Sequence, residues 1–581
     1  MKLKKTLKVT LASLLISSVF SGFALAAPNG PTPNSISNKA DVILQNGTVY
    51  TIDQKRDVAQ AIAIKDGKIV YVGTNQGVKP YQNSKTKVVN LEGKMVLPGF
   101  IDSHSHITST VETLFAVDLI EQHSREEYLS TIKGFMQKNP NIKGLKGFGW
   151  VNPVFPGKGP KKEDLDQIVK DIPVVLTSGD HHSVWVNSKA LEMAGITKDT
   201  KNPEGGVIER DDVTGEPTGT LRETAQDLVQ AVVPDYTEEE YREGILAYEQ
   251  MAAEKGVTSV HYALAVPGSN ALKALKALEK ENKLHLKYRV SLATDPAKGP
   301  SQVKALVEAR EKLNGPSVQV NSVKVFMDGV IEGATAAMID PYTDNHNAKP
   351  LWDPQVFNET AAALDKAGFA LHVHSIGDAA TKETLDGLQY AQDKNGKRDS
   401  RHQMTHLQIV QPSDFKRFKD LGVIAVLNPY WFMKEPGYYD KIEEAYLGKE
   451  RASHEYPMQS FLKNGVKVAS ASDFPVTYEF NPVYGIQVGV TREALGNTDP
   501  KGILGPDEKA SVDDLIASFT INGAYASFTD KITGSIEKGK AADIVVLDQN
   551  LFKIPATQIG HTKVLMTMAA GQETFRDATL K

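Results

Sequence analysis

Histidines 104 and 106 stand two residues apart at the end of an apolar stretch, Leu97-Pro98-Gly99-Phe100-Ile101-Asp102-Ser103-His104-Ser105-His106. In an extended chain, residues two apart share a face, so both imidazoles project together. Paired imidazoles suit a borderline metal such as zinc, although a pair of this kind also occurs as plain loop decoration. Four further polar features close apolar runs. Lys324 lies in Val323-Lys324-Val325-Phe326-Met327-Asp328-Gly329. His372 and His374 alternate in Leu371-His372-Val373-His374-Ser375-Ile376-Gly377-Asp378. His406 ends Gln403-Met404-Thr405-His406, and Asp473 follows Val468-Ala469-Ser470-Ala471-Ser472 and precedes Phe474-Pro475. Singly, a strand histidine is more often a hydrogen-bonded structural residue, and Ser-Asp before Phe-Pro is more often a turn. A buried lysine is costly unless it is paired or chemically altered. These residues do chemistry together only if the fold gathers the ends of their strands.

The elements that carry them alternate in type. Apolar strands are expected at 96–103, 257–262, 286–293, 323–328, 369–375, 403–407, 423–427 and 466–472, with helix-period segments such as 237–255 and 357–367 between them. This is an α/β pattern, and eight repeats point to a (β/α)8 TIM-type barrel spanning 96–529. A doubly wound open sheet is the alternative. In a barrel, all the polar residues named above would sit at the C-terminal ends of strands, where barrel active sites form. The gap between the first two strands is too long for one helix, so an insertion is expected at about 110–235, with strands of its own such as Val174-Val175-Leu176.

Both ends of the chain read as β-structure. Asn46-Gly47 separates 41–44 from 48–51, and Asp66-Gly67 separates 61–64 from 68–72. Both dipeptides tolerate the positive φ angles of hairpin turns, so two hairpins are expected. Near the other end, Ser511 with Asp514 three residues on resembles a capping box, and 542–547 and 564–568 read as strands. Segments 40–95 and 530–581 would then build one composite β-sandwich.

Composition narrows the classes. The chain has 581 residues, 41% hydrophobic and 24% charged, with a formal net charge of −5 and no basic block. Nucleic acid is therefore not the expected partner. Lys2, Lys4, Lys5 and Lys8 precede an apolar stretch to Leu25, and Ala24-Leu25-Ala26 offers a small-x-small cleavage site. That is the pattern of a secretory signal peptide over 1–26, followed by a Pro- and Asn-rich linker over 27–39. Its removal takes the formal charge to −9 and leaves no apolar run long enough for a span. A secreted or periplasmic protein is expected, with a small-molecule substrate and no membrane association after cleavage; a homo-oligomer is compatible with this reading. The chain has no cysteine, so disulfides, lipid anchoring through cysteine and thiolate ligands are excluded. Any metal must be held by nitrogen and oxygen.

In this order, the motifs resemble the amidohydrolase superfamily of metal-dependent hydrolases, and most closely its family 3 branch, which includes N-substituted formamide deformylase-like proteins. The resemblance is carried by 98–106, 323–329, 372–378, His406 and Ser472-Asp473. It extends to Gly179-Asp180-His181-His182-Ser183-Val184-Trp185-Val186-Asn187-Ser188 and Gly215-Glu216-Pro217-Thr218-Gly219 in the insertion, and to 534–547. Val330-Ile331-Glu332 departs from the Ser-Leu-Gly run frequent in relatives, a change expected to alter the pocket.

The resemblance implies roles. His104 and His106 would hold the more buried ion. Lys324, carbamylated, would bridge, and His374 and His406 would hold a second ion. Asp473 would touch the first ion and the nucleophilic water. One or two divalent ions are expected, zinc foremost, and Lys324 could instead stay unmodified as a substrate contact. Metal binding can bring the pKa of water from about 15.7 to about 7. Asp473 would take the proton and return it to a departing amine. His182, Trp150 and His372 would line the substrate pocket, with His261 a weaker candidate. The activity implied is hydrolysis of a non-peptide C–N bond in an amide, an N-acyl or N-formyl amine, or a cyclic amide. Esterase or phosphoesterase activity on the same site, or a catalytically silent binding or regulatory protein, are the competing readings.

Overall fold

The run around Pro98-Gly99-Phe100 forms two strands, not one. In the computed structural model, which describes residues 39–155, 158–179, 183–203, 206–229 and 231–580, Met95–Pro98 belongs to one sheet and Phe100–Ser105 to another. Gly99 is the crossing point. Its amide donates to the Asp543 carbonyl at 2.9 Å, and a Cβ there would lie 2.4 Å from the Thr258 side chain. Only glycine lets the first barrel strand pass that close to the second. The expected signal peptide at 1–26, nearly all of the linker and His182 lie outside the described residues.

The second of these sheets has eight parallel strands in sequence order: β1 (Phe100–Ser105), β2 (Val257–Ala265), β3 (Lys287–Ala293), β4 (Val318–Phe326), β5 (Ala370–Ser375), β6 (Gln403–His406), β7 (Ile424–Leu427) and β8 (Val468–Ser470). All eight match strands expected from the sequence, with shifts at their ends. The sheet curls into a nearly closed barrel. Past the last strand, Asp473 N donates to the His104 carbonyl at 2.8 Å and His106 N to the Phe474 carbonyl at 2.7 Å. The seam between the last strand and the first is thus tied at the level of the candidate ligands.

The helix Glu238–Glu254 leads into β2. Thr237 and Glu240 form the reciprocal capping box at its start, and its Ile245, Tyr248 and Ala252 are buried in the main hydrophobic cluster beside β2. From the same helix, Glu249 accepts from the amides of His285 and Leu286 and from the Tyr288 hydroxyl, which anchors the start of β3. Ser511 caps the helix Val512–Ser518 through the Asp514 amide at 3.1 Å, as expected.

Both chain ends build the β-sandwich. Ile544–Leu547 pairs antiparallel with Met95–Pro98, Val545 opposite Leu97. A six-stranded sheet of these segments with Gln572–Arg576, Val564–Ala569, Thr48–Tyr50 and Val58–Ala59 faces a four-stranded sheet from the N-terminal part. Leu44, Val49, Ile62, Val96, Ile544 and Met566 fill the space between. The hairpin at Asp66-Gly67 forms. The one expected at Asn46-Gly47 does not: Val42–Gln45 pairs with Ala61–Lys65, while Thr48–Tyr50 pairs with Met95–Pro98 in the other sheet. The reason is burial. Leu44 and Val49 both pack into the one core, which requires them in opposite layers. Gly47 makes the crossing, since a Cβ there would lie 2.8 Å from Leu91 Cδ1.

The insertion between β1 and β2 carries its own six-stranded sheet, in the order Gly206–Arg210, Pro217–Glu223, Ser183–Val186, Val174–Ser178, Leu145–Trp150, Val117–Asp118. Among the described residues, no helix is long and apolar enough to cross a membrane.

Candidate metal centre

The strand ends converge on one carboxylate. Asp473 Oδ1 lies 3.2 Å from Nε2 of His104 and 3.2 Å from Nε2 of His106, and its Oδ2 lies 4.0 Å from Nε2 of His406. Ligand atoms of His104, His406 and Asp473 all fall within 4.8 Å of one another. The backbone is bent to aim them: His406 has φ 77° and Asp473 φ 59°, a region side chains rarely adopt and one that clusters at functional sites.

The strand register brings in the rest. Lys324 on β4 is opposite His372 on β5, and Ser375 is opposite His406 on β6. Lys324 is 1% exposed. Its Nζ lies 3.3 Å from His104 Nε2 and 4.7 Å from the Phe326 ring centre, with no carboxylate at ion-pair distance among the described residues. His374 packs beside His406, ring centres 4.7 Å apart, and its Nε2 lies 3.1 Å from the Gly329 carbonyl.

Do these residues fit a metal? Asp473 Oδ1 is buried and has no hydrogen-bond partner among the described residues. A tetrahedral ion with bonds of about 2.0–2.1 Å spaces its ligand atoms about 3.3 Å apart. The 3.2 Å spacings from Asp473 Oδ1 to His104 and His106 match that value. The donor set is nitrogen and oxygen, suited to zinc. The residues fit.

The protonation states agree. Burial, reinforced by the nearby Lys324, pushes His104 well below the usual imidazole range, and burial does the same to His374 and brings His406 down to about 4. Burial also lowers Lys324 to about 7. Burial opposes the charge on Asp473, yet a proton on any facing histidine would pull its carboxyl well below the usual range. In this coupled cluster the carboxylate is the ionised partner. Several buried rings beside a lysine cannot all hold protons, so His104, His374 and His406 are neutral in the main, the form that ligates metal.

Neighbouring side chains select the tautomers. The Gln403 amide NH2 donates to the Ala526 carbonyl at 2.8 Å, so its oxygen accepts from His372 Nδ1 at 2.9 Å. His372 Nε2 is then an acceptor, and His104 Nδ1 donates to it at 2.5 Å. The lone pair on His104 Nε2 is left facing Asp473. In the same way Asn428 donates to the Ala471 carbonyl and accepts from His406 Nδ1 at 3.0 Å, freeing His406 Nε2. Asp102, beneath the seam, accepts from the Ser472 hydroxyl at 2.5 Å and the Ser472 amide at 2.9 Å, which fixes the approach to Asp473. Asp328 accepts from the amides of Ala337, Ile376 and Gly377, which holds the loop after β5.

Above the centre opens a cavity of about 470 Å³, floored by His374, His406 and Asp473. Trp431 forms a wall; it stacks on His406 at 5.5 Å, and its indole N–H donates to Thr477. Two residues expected in the pocket are elsewhere. His372 is fully buried under His104 and orients it. Trp150 is also fully buried: its indole donates to the Leu176 carbonyl, and it packs edge-on against Phe155 and Trp185 in the core of the insertion. His261 lies deeper still, 4.4 Å from the His372 ring and bonded to Ser291. Sequence reasoning missed Gln403, Asn428 and the aromatic wall. For Asn428 a signal existed, because it closes the apolar strand β7 as His406 closes β6.

A model of the amidohydrolase family matches residues 87–575. The chain belongs to the amidohydrolase family. Among curated members, Protein LONG AFTER FAR-RED 3 of Arabidopsis thaliana is 31% identical over 545 residues, covering 92% of each chain. The N-substituted formamide deformylase of Arthrobacter pascens is 26% identical, over 91% of this chain and 97% of its own. Among solved structures, a metal-dependent hydrolase of Pyrococcus furiosus superposes with a TM-score of 0.72 at 25% identity, covering 88% of this chain and all of that one. Within an amidohydrolase-family barrel, a His/Asp cluster at the C-terminal strand ends lies where barrel active sites form.

Proposed function

We propose that this amidohydrolase-family protein is an exported metal-dependent hydrolase of a non-peptide C–N bond. The observation that carries the reading is the buried Asp473 carboxylate, whose Oδ1 has no hydrogen-bond partner among the described residues, facing the imidazoles of His104, His106 and His406 at the floor of an open cavity. His104, His106, His374, His406 and Asp473 would hold one or two divalent ions, with Lys324 bridging as a carbamate. When bound, such an ion supplies Lewis acidity and makes a water acidic enough to attack near neutral pH.

The side chains do the rest. Asp473, ionised and at the cavity floor, takes the proton of the attacking water and returns it to the departing nitrogen, which leaves as a neutral amine. Burial of Lys324, with no carboxylate at ion-pair distance among the described residues, favours its free amine, the form that adds to carbon dioxide with loss of one proton. Trp431 shields His406 from bulk solvent. The name of the formamide deformylase relative supports an N-acyl or N-formyl amine as the substrate type. Export rests on the lysine-rich start, apolar stretch and Ala24-Leu25-Ala26 of the sequence.

The test is metal content by elemental mass spectrometry on protein purified without chelator, followed by a panel of N-formyl, N-acyl and cyclic amides beside esters and phosphoesters. One or two zinc equivalents, lost in His104→Ala, with turnover confined to amides, is the expected result. Absence of bound metal after supply of zinc and bicarbonate overturns the reading.

A further inference from the structure

The end of the cavity away from the metal centre is acidic and aromatic. Glu332 and Glu435 stand exposed at its lining, and Glu443, 5% exposed, lines it deeper. Behind Glu443 lies Glu455, fully buried. The Gln408 amide spans the two carboxyl groups, donating to Glu443 Oε1 at 3.2 Å and Glu455 Oε1 at 2.8 Å. That one NH2 group is shared, and Glu455 Oε2 has no hydrogen-bond partner among the described residues. The two carboxyl groups also hydrogen-bond to each other, so the pair is held together by a retained proton and not by a facing cation.

No lysine or arginine is among the described residues lining the cavity. Arg492 is close and its charge favours ionisation of Glu455, but its guanidinium donates to the carbonyls of Glu455, Tyr456 and Leu504 and to neither carboxyl group among the described contacts. Trp431, Tyr438, Tyr456 and Tyr478 also line the cavity, with Trp431 stacked on His406 and Tyr456 edge-on to Trp431, and aromatic rings of this kind attract a cation.

We propose that this cavity selects a substrate bearing an ammonium or quaternary ammonium group, which the Glu332, Glu435 and Glu443 end holds while the scissile amide sits at the His374, His406 and Asp473 floor. The inference rests on the reading of the cavity as the substrate site of a hydrolase. Burial pushes the Glu443 carboxyl up to about 8, so the empty pair keeps a proton that a bound cation would displace.

The test uses two isosteric formamides, N-(2-trimethylammonioethyl)formamide and N-(3,3-dimethylbutyl)formamide, which differ in one atom and one charge. Binding is measured by calorimetry on the zinc-loaded Asp473→Asn protein, and turnover on the zinc-loaded wild type. The cationic compound should bind about tenfold tighter or more, and Glu443→Gln and Glu332→Gln in the same background should each reduce that preference. Glu332 is exposed, so its variant keeps the test sound if Glu443→Gln fails to fold. Equal binding, binding of neither compound, or a preference untouched by both variants overturns the proposal. A cation preference without turnover of either compound upholds this inference and counts against the hydrolase reading alone. Turnover of both with equal efficiency does the reverse.

Discussion

His104 donates from Nδ1 to Nε2 of His372 over 2.5 Å, and the direction of that bond leaves the other nitrogen of His104 for the metal centre. His372 is thus a positioning residue, held in turn by Gln403. Removing such a partner from a ligating histidine lowers metal affinity by roughly 10–100-fold. His372→Ala should show that loss in a zinc-chelator competition titration, with a normal kcat once zinc is saturating. A loss of kcat at full occupancy, with unchanged affinity, would instead give His372 a direct part in turnover.

Lys324 has no carboxylate partner among the described residues and sits 3.3 Å from His104 Nε2. As a carbamate it would carry negative charge toward the ions in place of positive. Lys324→Ala should retain less metal than the wild type, and acetate or propionate should restore part of it. Carbon-13 bicarbonate should give the wild type a carbamate carbon signal in NMR that the variant lacks. Full metal content in the variant, without that signal in the wild type, would leave Lys324 as a simple amine.

Asp473 is the group placed to carry the proton. Asp473→Asn keeps the size and the oxygen facing the histidines but cannot accept a proton. It should retain metal and lose about a hundredfold or more in kcat, as read on the best amide of the panel. Near-wild-type kcat would move the proton transfer to another residue.

The barrel was legible because its strands are short apolar runs closed by polar residues, and that same signature marked His104, His374, His406 and Asp473. Three things were not. Gly99 looked like the interior of one strand, since nothing in the local pattern reports that Thr258, far along the chain, blocks a side chain there. Asn46-Gly47 has the chemistry of a hairpin turn, but turn chemistry fixes the local bend and not the strand's partner. Pairing was decided by the need of Leu44 and Val49 to face one core from two sheets. Aromatic residues mislead for a related reason: Trp150 and Trp431 look alike in sequence, and only the packing shows that one fills a core and the other lines a cavity.

That difference is measurable. Trp150 is buried among Phe155, Trp185 and the Leu176 carbonyl. Trp150→Ala should cost about 3–5 kcal/mol of stability in the insertion, seen as a lower urea midpoint. Activity per bound zinc should be unchanged in the folded protein. A variant of normal stability with a raised KM would return Trp150 to the substrate pocket.

Glu443 gives the protein a pH-dependent weakness of known sign. Its ordinary pKa is 4.5, and burial raises it to about 8 in the folded protein. Between those values the folded state holds a proton that the unfolded chain has lost, so stability falls as pH rises through the window and levels off above it. Glu455, Asp102 and Asp328 are raised by burial as well and push in the same direction, so the wild-type profile alone does not isolate Glu443. The difference between wild type and Glu443→Gln isolates the Glu443–Glu455 pair, because the two carboxyl groups titrate together. The glutamine cannot ionise, so its advantage in thermal midpoint over the wild type should grow from about pH 5 to about pH 8. A saturating quaternary ammonium ligand should shrink that advantage, because it stabilises the ionised wild-type carboxylate and meets one charge fewer in the variant. An advantage that stays flat with pH would mean that the Glu443–Glu455 pair holds no extra proton in the folded state despite its burial.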